Sequence, residues 1–327
     1  MPSHHSDGAA SAPFSVAGRE PLTIKPLARF APSPTGPLHL GSLLAAVGSY
    51  LDARAHGARW LVRIEDLDTP RVVPGCADEQ LRVLEAFGFE WDGEVLRQST
   101  RREAYRAALA TLESAGRIFA CSCTRKELAA AGEESPGYPG TCRRGPTRPG
   151  ATARRFRVSD TTIHFDDIFQ GAQDFDLTTC GDFVVERRDG IASYQLAVVV
   201  DDAFQGVTRV VRGADLLAST PWQLDLQSAL ALPRPIYGHL PLVVEADGAK
   251  LSKSGHAVPL DPAQVSKGLT ATLTLLSQQP PPELGRMPSK EVWEWAFAHW
   301  RPQALVGRTE VRCPRPATCQ QISRTKL

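Results

Sequence analysis

No stretch of this sequence approaches the roughly 20 consecutive apolar residues that a membrane-spanning helix needs. Charge of one sign is equally absent: 37 Lys and Arg face 36 Asp and Glu, for a formal net charge of +1. So balanced a chain presents no global basic field, and any contact with RNA has to come from local patches. The first residues are small and polar, with His4 and His5 but no apolar core of a secretion signal. Residues 1–22 therefore read as a disordered leader, and a cytoplasmic protein is expected. Without an export signal, the seven cysteines are expected as thiols or metal ligands and not as disulfides. There are no internal repeats. What remains is ordinary for a soluble globular protein: 42% hydrophobic and 22% charged residues over 327 positions, enough for a substantial core.

The densest signal lies in residues 29–42, RFAPSPTGPLHLGS. Residues 27–31 are mostly apolar and read as a strand end. Pro32, Pro34, Gly36 and Pro37 then forbid regular structure. Apolar residues recur at Leu43, Leu44, Val47, Tyr50 and Leu51, a helical period, and Gly57 closes the helix. His39, Gly41 and Ser42 thus fall at a helix N-terminus, where backbone N–H groups and the dipole favour an anion. A second stretch, residues 250–254, KLSKS, puts Lys250, Lys253 and Ser254 in a polar loop after the apolar run 240–244. Either alone is commonplace. In this order they read as two halves of a nucleotide site.

Strand and helix alternate from residue 24 to 118, with a strand at 60–64 and helices at 77–87 and 102–115, which predicts a parallel α/β sheet. Residues 119–181 break that rhythm with Cys, Gly, Pro and Arg clusters and read as an insertion. Strand signals resume at 183–186 and 194–200. From Asp261, an N-cap followed by Pro262, the pattern turns helical, with Trp293, Phe297 and Trp300 lining a second helix. The expected organisation is a catalytic half at 23–118, an inserted subdomain at 119–181, a second catalytic half at 182–260, a short helical part at 261–300, and an irregular basic tail at 301–327.

The two nucleotide motifs resemble the paired signatures of the class I aminoacyl-tRNA synthetases. The flanks resemble the glutamate branch of that family: IEDLD at 64–68, YQLAVVVDD at 194–202, VRGAD at 211–215 and HLPL at 239–242. Similarity extends over residues 24–300. It is strongest to a truncated branch that adds glutamate to queuosine, the modified wobble base of tRNA(Asp). The resemblance implies a Rossmann-like parallel sheet, acting as a monomer on glutamate, ATP with Mg, and the tRNA(Asp) anticodon loop carrying queuosine. It assigns Arg29 and Arg212 to the glutamate carboxylates, Ser33 and Tyr194 as hydroxyl partners, and Glu65 to the ammonium. His39, Gly41, Ser42, Lys250 and Lys253 fall to the ATP phosphates. Ser42 replaces the last histidine of the family's first signature, and a hydroxyl can still donate to phosphate. Carboxylate attack on the α-phosphorus needs no general base, only alignment and charge stabilisation.

Cys121, Cys123 and Cys142 lie close in the insertion, a zinc-like cluster with no histidine between them. On the residues alone the fourth ligand stays open among Glu133, Glu134 and water. The resemblance supplies Tyr138, an unusual ligand, since zinc must depress a phenol pKa of about 10. Only a short helical region follows the KLSKS loop, so no distant anticodon-reading part is expected. The rival readings are a truncated synthetase charging a tRNA 3′ end and a non-catalytic RNA-binding relic. A pantothenate-synthetase-like ligase leaves the KLSKS loop and the cysteines unexplained.

Overall fold

The computed structural model describes residues 25–132, 137–244 and 258–312. Its first half runs β1 (Leu27–Phe30), α1 (Leu40–Ala55), β2 (Arg59–Ile64), α2 (Cys76–Ala86), β3 (Leu96–Arg97), α3 (Arg102–Ser114), β4 (Ile118–Cys121), α4 (Arg125–Gly132), β5 (Ala153–Phe156), β6 (Thr162–Asp167), β7 (Gly171–Asp176) and α5 (Leu177–Cys180). Its second half runs β8 (Phe183–Glu186), α6 (Tyr194–Gln205), β9 (Arg209–Gly213), α7 (Thr220–Ala229), β10 (Ile236–Leu240), β11 (Leu242–Val244), α8 (Val265–Leu275), α9 (Ser289–Ala298) and β12 (Glu310–Arg312). No described helix is long and apolar enough to cross a membrane.

Seven strands form one sheet in the order β3-β2-β1-β9-β10-β6-β7. Every neighbouring pair is parallel except β6 with β7. Parallel neighbours need crossover connections, and α1 supplies one between β1 and β2, α7 another between β9 and β10. The α/β architecture with a mostly parallel sheet is therefore the one the alternation predicts. Helix α1 lies close on the sheet: a Cβ on Gly48 would come within 2.5 Å of Leu240 Cδ1. Gly57, at φ +62°, turns the chain out of α1 into β2.

Side chains alternate across each strand, and the two faces differ. Ala28, Phe30, Trp60, Val62, Ile64, Val211 and Leu240 join one apolar layer with α1, α8 and α9. Leu27, Val210 and Tyr237 join the other, with α3, α6 and α7. By the same alternation Arg29, Arg63, Arg212 and His239 emerge on that second face. They sit near the carboxyl ends of four parallel strands.

Three expectations change. The run at 194–200 is not a strand but the start of helix α6. Ser193 caps it by accepting from the Leu196 N–H, and Gly206 ends it in the left-handed region. Buried on nearly every side from Leu196 to Asp202, this helix has no polar face, so its period is erased and its valines mimic a strand. The described part of the tail is not irregular throughout: β12 pairs in parallel with β11, and Gly307 N donates to Phe169 O at 2.8 Å. A three-residue strand carries too little pattern to be seen. Helix α8 begins later than Pro262; Asp261 caps a short 3₁₀ turn, accepting from Ala263 N at 3.0 Å, and Trp300 follows α9 instead of lining it. The sheets also cut across the expected insertion. Strands β4, β5 and β8 make a small antiparallel sheet, whereas β6 and β7 extend the large one through β10.

Candidate active site and metal centre

The turn after β1 is pinned from β2 and α2. Glu65 N donates to Pro32 O at 3.0 Å, which ties the turn to the end of β2. Gln80, fully buried on α2, donates its amide to Ser33 O at 3.1 Å and Gly36 O at 2.8 Å. Sequence reasoning had no reason to pick this glutamine. The loop then delivers His39 as the N-cap of α1. Its Nδ1 accepts from Gly41 N at 3.1 Å and Ser42 N at 3.3 Å. These two N–H groups are therefore not open to an anion as expected, because the imidazole already caps them. An accepting Nδ1 puts the neutral ring's proton on Nε2, so the residue can present a donor beyond the helix end.

Next to this turn is a buried cluster of charges. Arg29 donates Nε and Nη2 to Asp202 of α6 at 3.0 and 3.3 Å. Arg63, 0% exposed, donates Nη1 to Asp202 at 2.7 Å and to Gln205 Oε1 at 2.8 Å, with Nη2 at 3.4 Å from Glu65. Arg212 of β9 donates Nη1 to Tyr194 Oη at 3.3 Å. Burial works against the Asp202 carboxylate, but Arg29 and Arg63 outweigh it and hold its pKa below the ordinary value. Burial likewise opposes the Arg63 cation, and Asp202, Glu65 and Asp201 overcome it. At Glu65 the balance falls the other way: desolvation outweighs Arg63 and Arg29, and its pKa is raised. Burial also raises Tyr194, keeping it a neutral hydroxyl. Arg29, Glu65, Tyr194 and Arg212 are thus brought together, and Ser33 lies in the adjoining turn. Arg63 and Asp202 were missed as site residues. Their signal was an ionisable residue inside an otherwise apolar run, in β2 and in α6. Lys250, Lys253 and Ser254 lie outside the described residues; the chain enters that segment from β11.

A separate cluster sits on the small sheet. The sulfurs of Cys121, Cys123 and Cys142 all lie within 4.8 Å of one another. Cys123 and Cys142 are 3.6 Å apart, and Tyr138 Oη is 3.4 Å from Cys121 Sγ and 3.7 Å from Cys123 Sγ. Zinc–sulfur bonds in a tetrahedron give edges of about 3.8 Å between sulfurs, and slightly less from sulfur to oxygen. These three separations are close to edges of a zinc tetrahedron. Burial opposes the Cys142 thiolate, yet hydrogen bonds from Tyr138 and from the backbone of Ser122 and Thr147 pull it down to about 6. The Tyr138 phenol is pushed up, first by burial and then by the thiol neighbours. A divalent cation at the centre would invert that second effect. Cys142 N donates to the phenol oxygen at 2.8 Å, and the Arg155 guanidinium lies 4.0 Å from the ring centroid. Both favour a phenolate. Glu133 and Glu134 lie outside the described residues.

Residues 26–270 match the family model of the class I tRNA synthetases (E and Q), catalytic domain. A glutamate tRNA ligase from Elizabethkingia meningosepticum superposes with a TM-score of 0.72 at 24% identity, covering 91% of this chain and 68% of that one. The glutamate-tRNA synthetase of Elizabethkingia anophelis gives 0.73 at 24%, covering 91% and 70%; both likenesses speak to the fold. The chain belongs to the class I synthetases of the E and Q group. Within that group, proteins called glutamyl-Q tRNA(Asp) synthetase are similar over nearly their whole length. The one from Aromatoleum aromaticum is 55% identical over 83% of this chain and 88% of its own. Those from Geobacter sulfurreducens and Pseudomonas aeruginosa are 50% identical, over 87% and 91% of this chain and 96% and 98% of theirs. At that identity the chain falls in the glutamyl-Q tRNA(Asp) synthetase family, and it is a ligase of the glutamate–tRNA type.

Proposed function

We propose that the strand-end cluster activates glutamate with ATP as glutamyl-adenylate, and that the enzyme transfers the glutamate to queuosine at the wobble position of tRNA(Asp). The observation that carries this reading is the charge balance. Three guanidiniums, of Arg29, Arg63 and Arg212, face two carboxylates, of Glu65 and Asp202. The excess of one positive charge complements glutamate, which has two carboxylates and one ammonium. A buried site needs such a match, since an uncompensated charge is costly away from water. Asp202 takes Nε and Nη2 of Arg29, leaving Nη1 for a carboxylate. Arg212 takes the other, with Ser33 and Tyr194 as hydroxyl partners, and Glu65 receives the ammonium.

The first step breaks the bond between the α- and β-phosphates as the glutamate carboxylate attacks the α-phosphorus, and pyrophosphate leaves. His39 through Nε2 and Ser42 through its hydroxyl hold the phosphates at the α1 end, where Gly41 lets them approach the backbone, and Lys250 and Lys253 neutralise charge developing on them. ATP enters with Mg as its counter-ion. In the second step a queuosine hydroxyl attacks the adenylate carbonyl and AMP leaves. The relatives' names support the acceptor. The arginines of the small sheet region, among them Arg144, Arg148, Arg157 and Arg188, support an RNA contact there. Cys121, Cys123, Tyr138 and Cys142 would hold zinc, which supplies a structural cross-link to a segment poor in apolar residues. The enzyme acts as a monomer. Incubation with radiolabelled glutamate, ATP and tRNA(Asp) with or without queuosine tests the reading. Label is expected on the nucleoside after nuclease digestion. Label on the 3′ adenosine, with or without queuosine, would establish the truncated-synthetase reading instead.

A further inference from the structure

We infer that His239 is a positioning residue for Arg212, held in the one useful tautomer by Asp167. The inference deepens the glutamate reading of the site and rests on it. Arg212 and His239 are register partners on the parallel strands β9 and β10, so their side chains emerge side by side. His239 is 0% exposed and Asp167 4%. Oδ1 of Asp167 accepts from the backbone N–H groups of His239, Phe169 and Gln170, each at 3.0 Å. Its Oδ2 lies 2.5 Å from His239 Nδ1. A carboxylate ringed by donors stays ionised. The imidazole proton therefore sits on Nδ1, and Nε2 is left with a lone pair.

That lone pair faces Nε of Arg212 at 3.1 Å, with Thr220 Oγ1 at 3.2 Å from the same nitrogen. A guanidinium offers donors and no acceptor, so this contact exists only while Nε2 is unprotonated. Nη2 of Arg212 is fixed by Thr220 Oγ1 at 2.9 Å and Leu216 O at 3.4 Å. The plane of the guanidinium is thus set from behind, and its Nη1 edge is presented beside Tyr194. The contrast with Arg29 explains the choice of residue. Asp202 orients Arg29 but also balances its charge. A neutral imidazole orients Arg212 while leaving the full positive charge for an incoming carboxylate.

Three full-length variants test this, with glutamate binding by calorimetry and glutamate and ATP KM by pyrophosphate exchange. Asp167→Asn keeps an oxygen for the three backbone donors but places an amide N–H against Nδ1. The imidazole proton must then move to Nε2 and confront the Arg212 N–H. Glutamate Kd is expected to rise about tenfold or more, the loss of one charge-assisted hydrogen bond, with ATP KM and melting temperature little changed. In His239→Gln the amide oxygen can take the place of Nε2, and near wild-type glutamate affinity is expected. His239→Asn reaches only the position of Nδ1 and is expected to lose affinity as Asp167→Asn does. If Asp167→Asn does not fold, the Gln and Asn pair decides. Equal glutamate affinity in the Gln and Asn variants, or unchanged affinity in folded Asp167→Asn, would overturn the inference. Wild-type protein that binds no glutamate at all would refute the substrate reading first, and this one with it.

Discussion

The large sheet keeps its charges buried between two apolar layers, whereas the small β4-β5-β8 sheet joins one of those layers through Phe156, Phe183 and Val185 and gathers sulfur at its Cys121 end. Around β1, β2, β9 and β10, dozens of buried apolar side chains fix the backbone from both faces. Arginines and carboxylates can then sit at the strand ends without having to hold the fold together. Around Cys121 the apolar cluster shrinks to Phe119, Cys121 and Cys142, with Cys123 and Tyr138 against it. So small a core cannot stabilise a segment rich in Gly, Pro and Arg. The difference teaches where each region draws its stability: the strand-end site rests on burial alone, whereas around Cys121 the proposed metal would add ligation to what little burial there is. It also predicts that the two are separable.

The largest effect is expected from Asp202→Ala, which strips the shared partner from Arg29 and Arg63. Leaving buried cations uncompensated costs about 3–5 kcal/mol, to be read as a lower urea midpoint with unchanged zinc content. Retained stability would mean that water already reaches the cluster. Next comes Lys253→Ala. Adenylate formation is expected to slow by about 10²–10³ in pyrophosphate exchange, while glutamate binding and zinc content stay as they are. Exchange close to wild type would remove Lys253 from the reaction. Cys142→Ser should release the metal, which elemental analysis reads as a fall from near one zinc per chain, and should lower the melting temperature of the small sheet region. Pyrophosphate exchange should survive it. If exchange falls as far as in Lys253→Ala, the two regions are not independent and the comparison fails. Tyr138→Phe sharpens the same point, since a smaller zinc loss than Cys142→Ser is expected from a ligand and none from a bystander.

The smallest effect concerns pH. Burial raises the pKa of Glu65, and holding an ammonium requires its carboxylate form. As pH falls through that raised value, Glu65 takes up a proton and glutamate affinity declines; above it, affinity is full. The decline should lie above the ordinary carboxylate range and be missing in Glu65→Gln, whose weaker binding should be flat there. Superimposable profiles would assign the ammonium elsewhere.

Much of this was readable without coordinates. The Pro- and Gly-rich turn, the start of α1 near His39, and the spacing of Cys121, Cys123 and Cys142 are local features, and short-range sterics and chemistry write them directly into neighbouring residues. Among the readings that failed, two had no local signal to follow. Helix α6 is buried all round, so no alternation of polar and apolar residues reveals its turn. Strand β12 is three residues long and owes its order to β11.

The sequence by itself determined the class of protein, because the turn at 29–42 and the KLSKS segment carry particular residue types in a particular order. Only the tertiary structure decided how the charges are shared. Arg29 and Asp202 lie 173 residues apart, Arg63 and Asp202 139, and His239 and Asp167 72. These pairs exist because β1 lies between β2 and β9, and β10 between β9 and β6. Strand order is set by how whole layers bury their apolar faces, and periodicity within one segment carries no record of its neighbour.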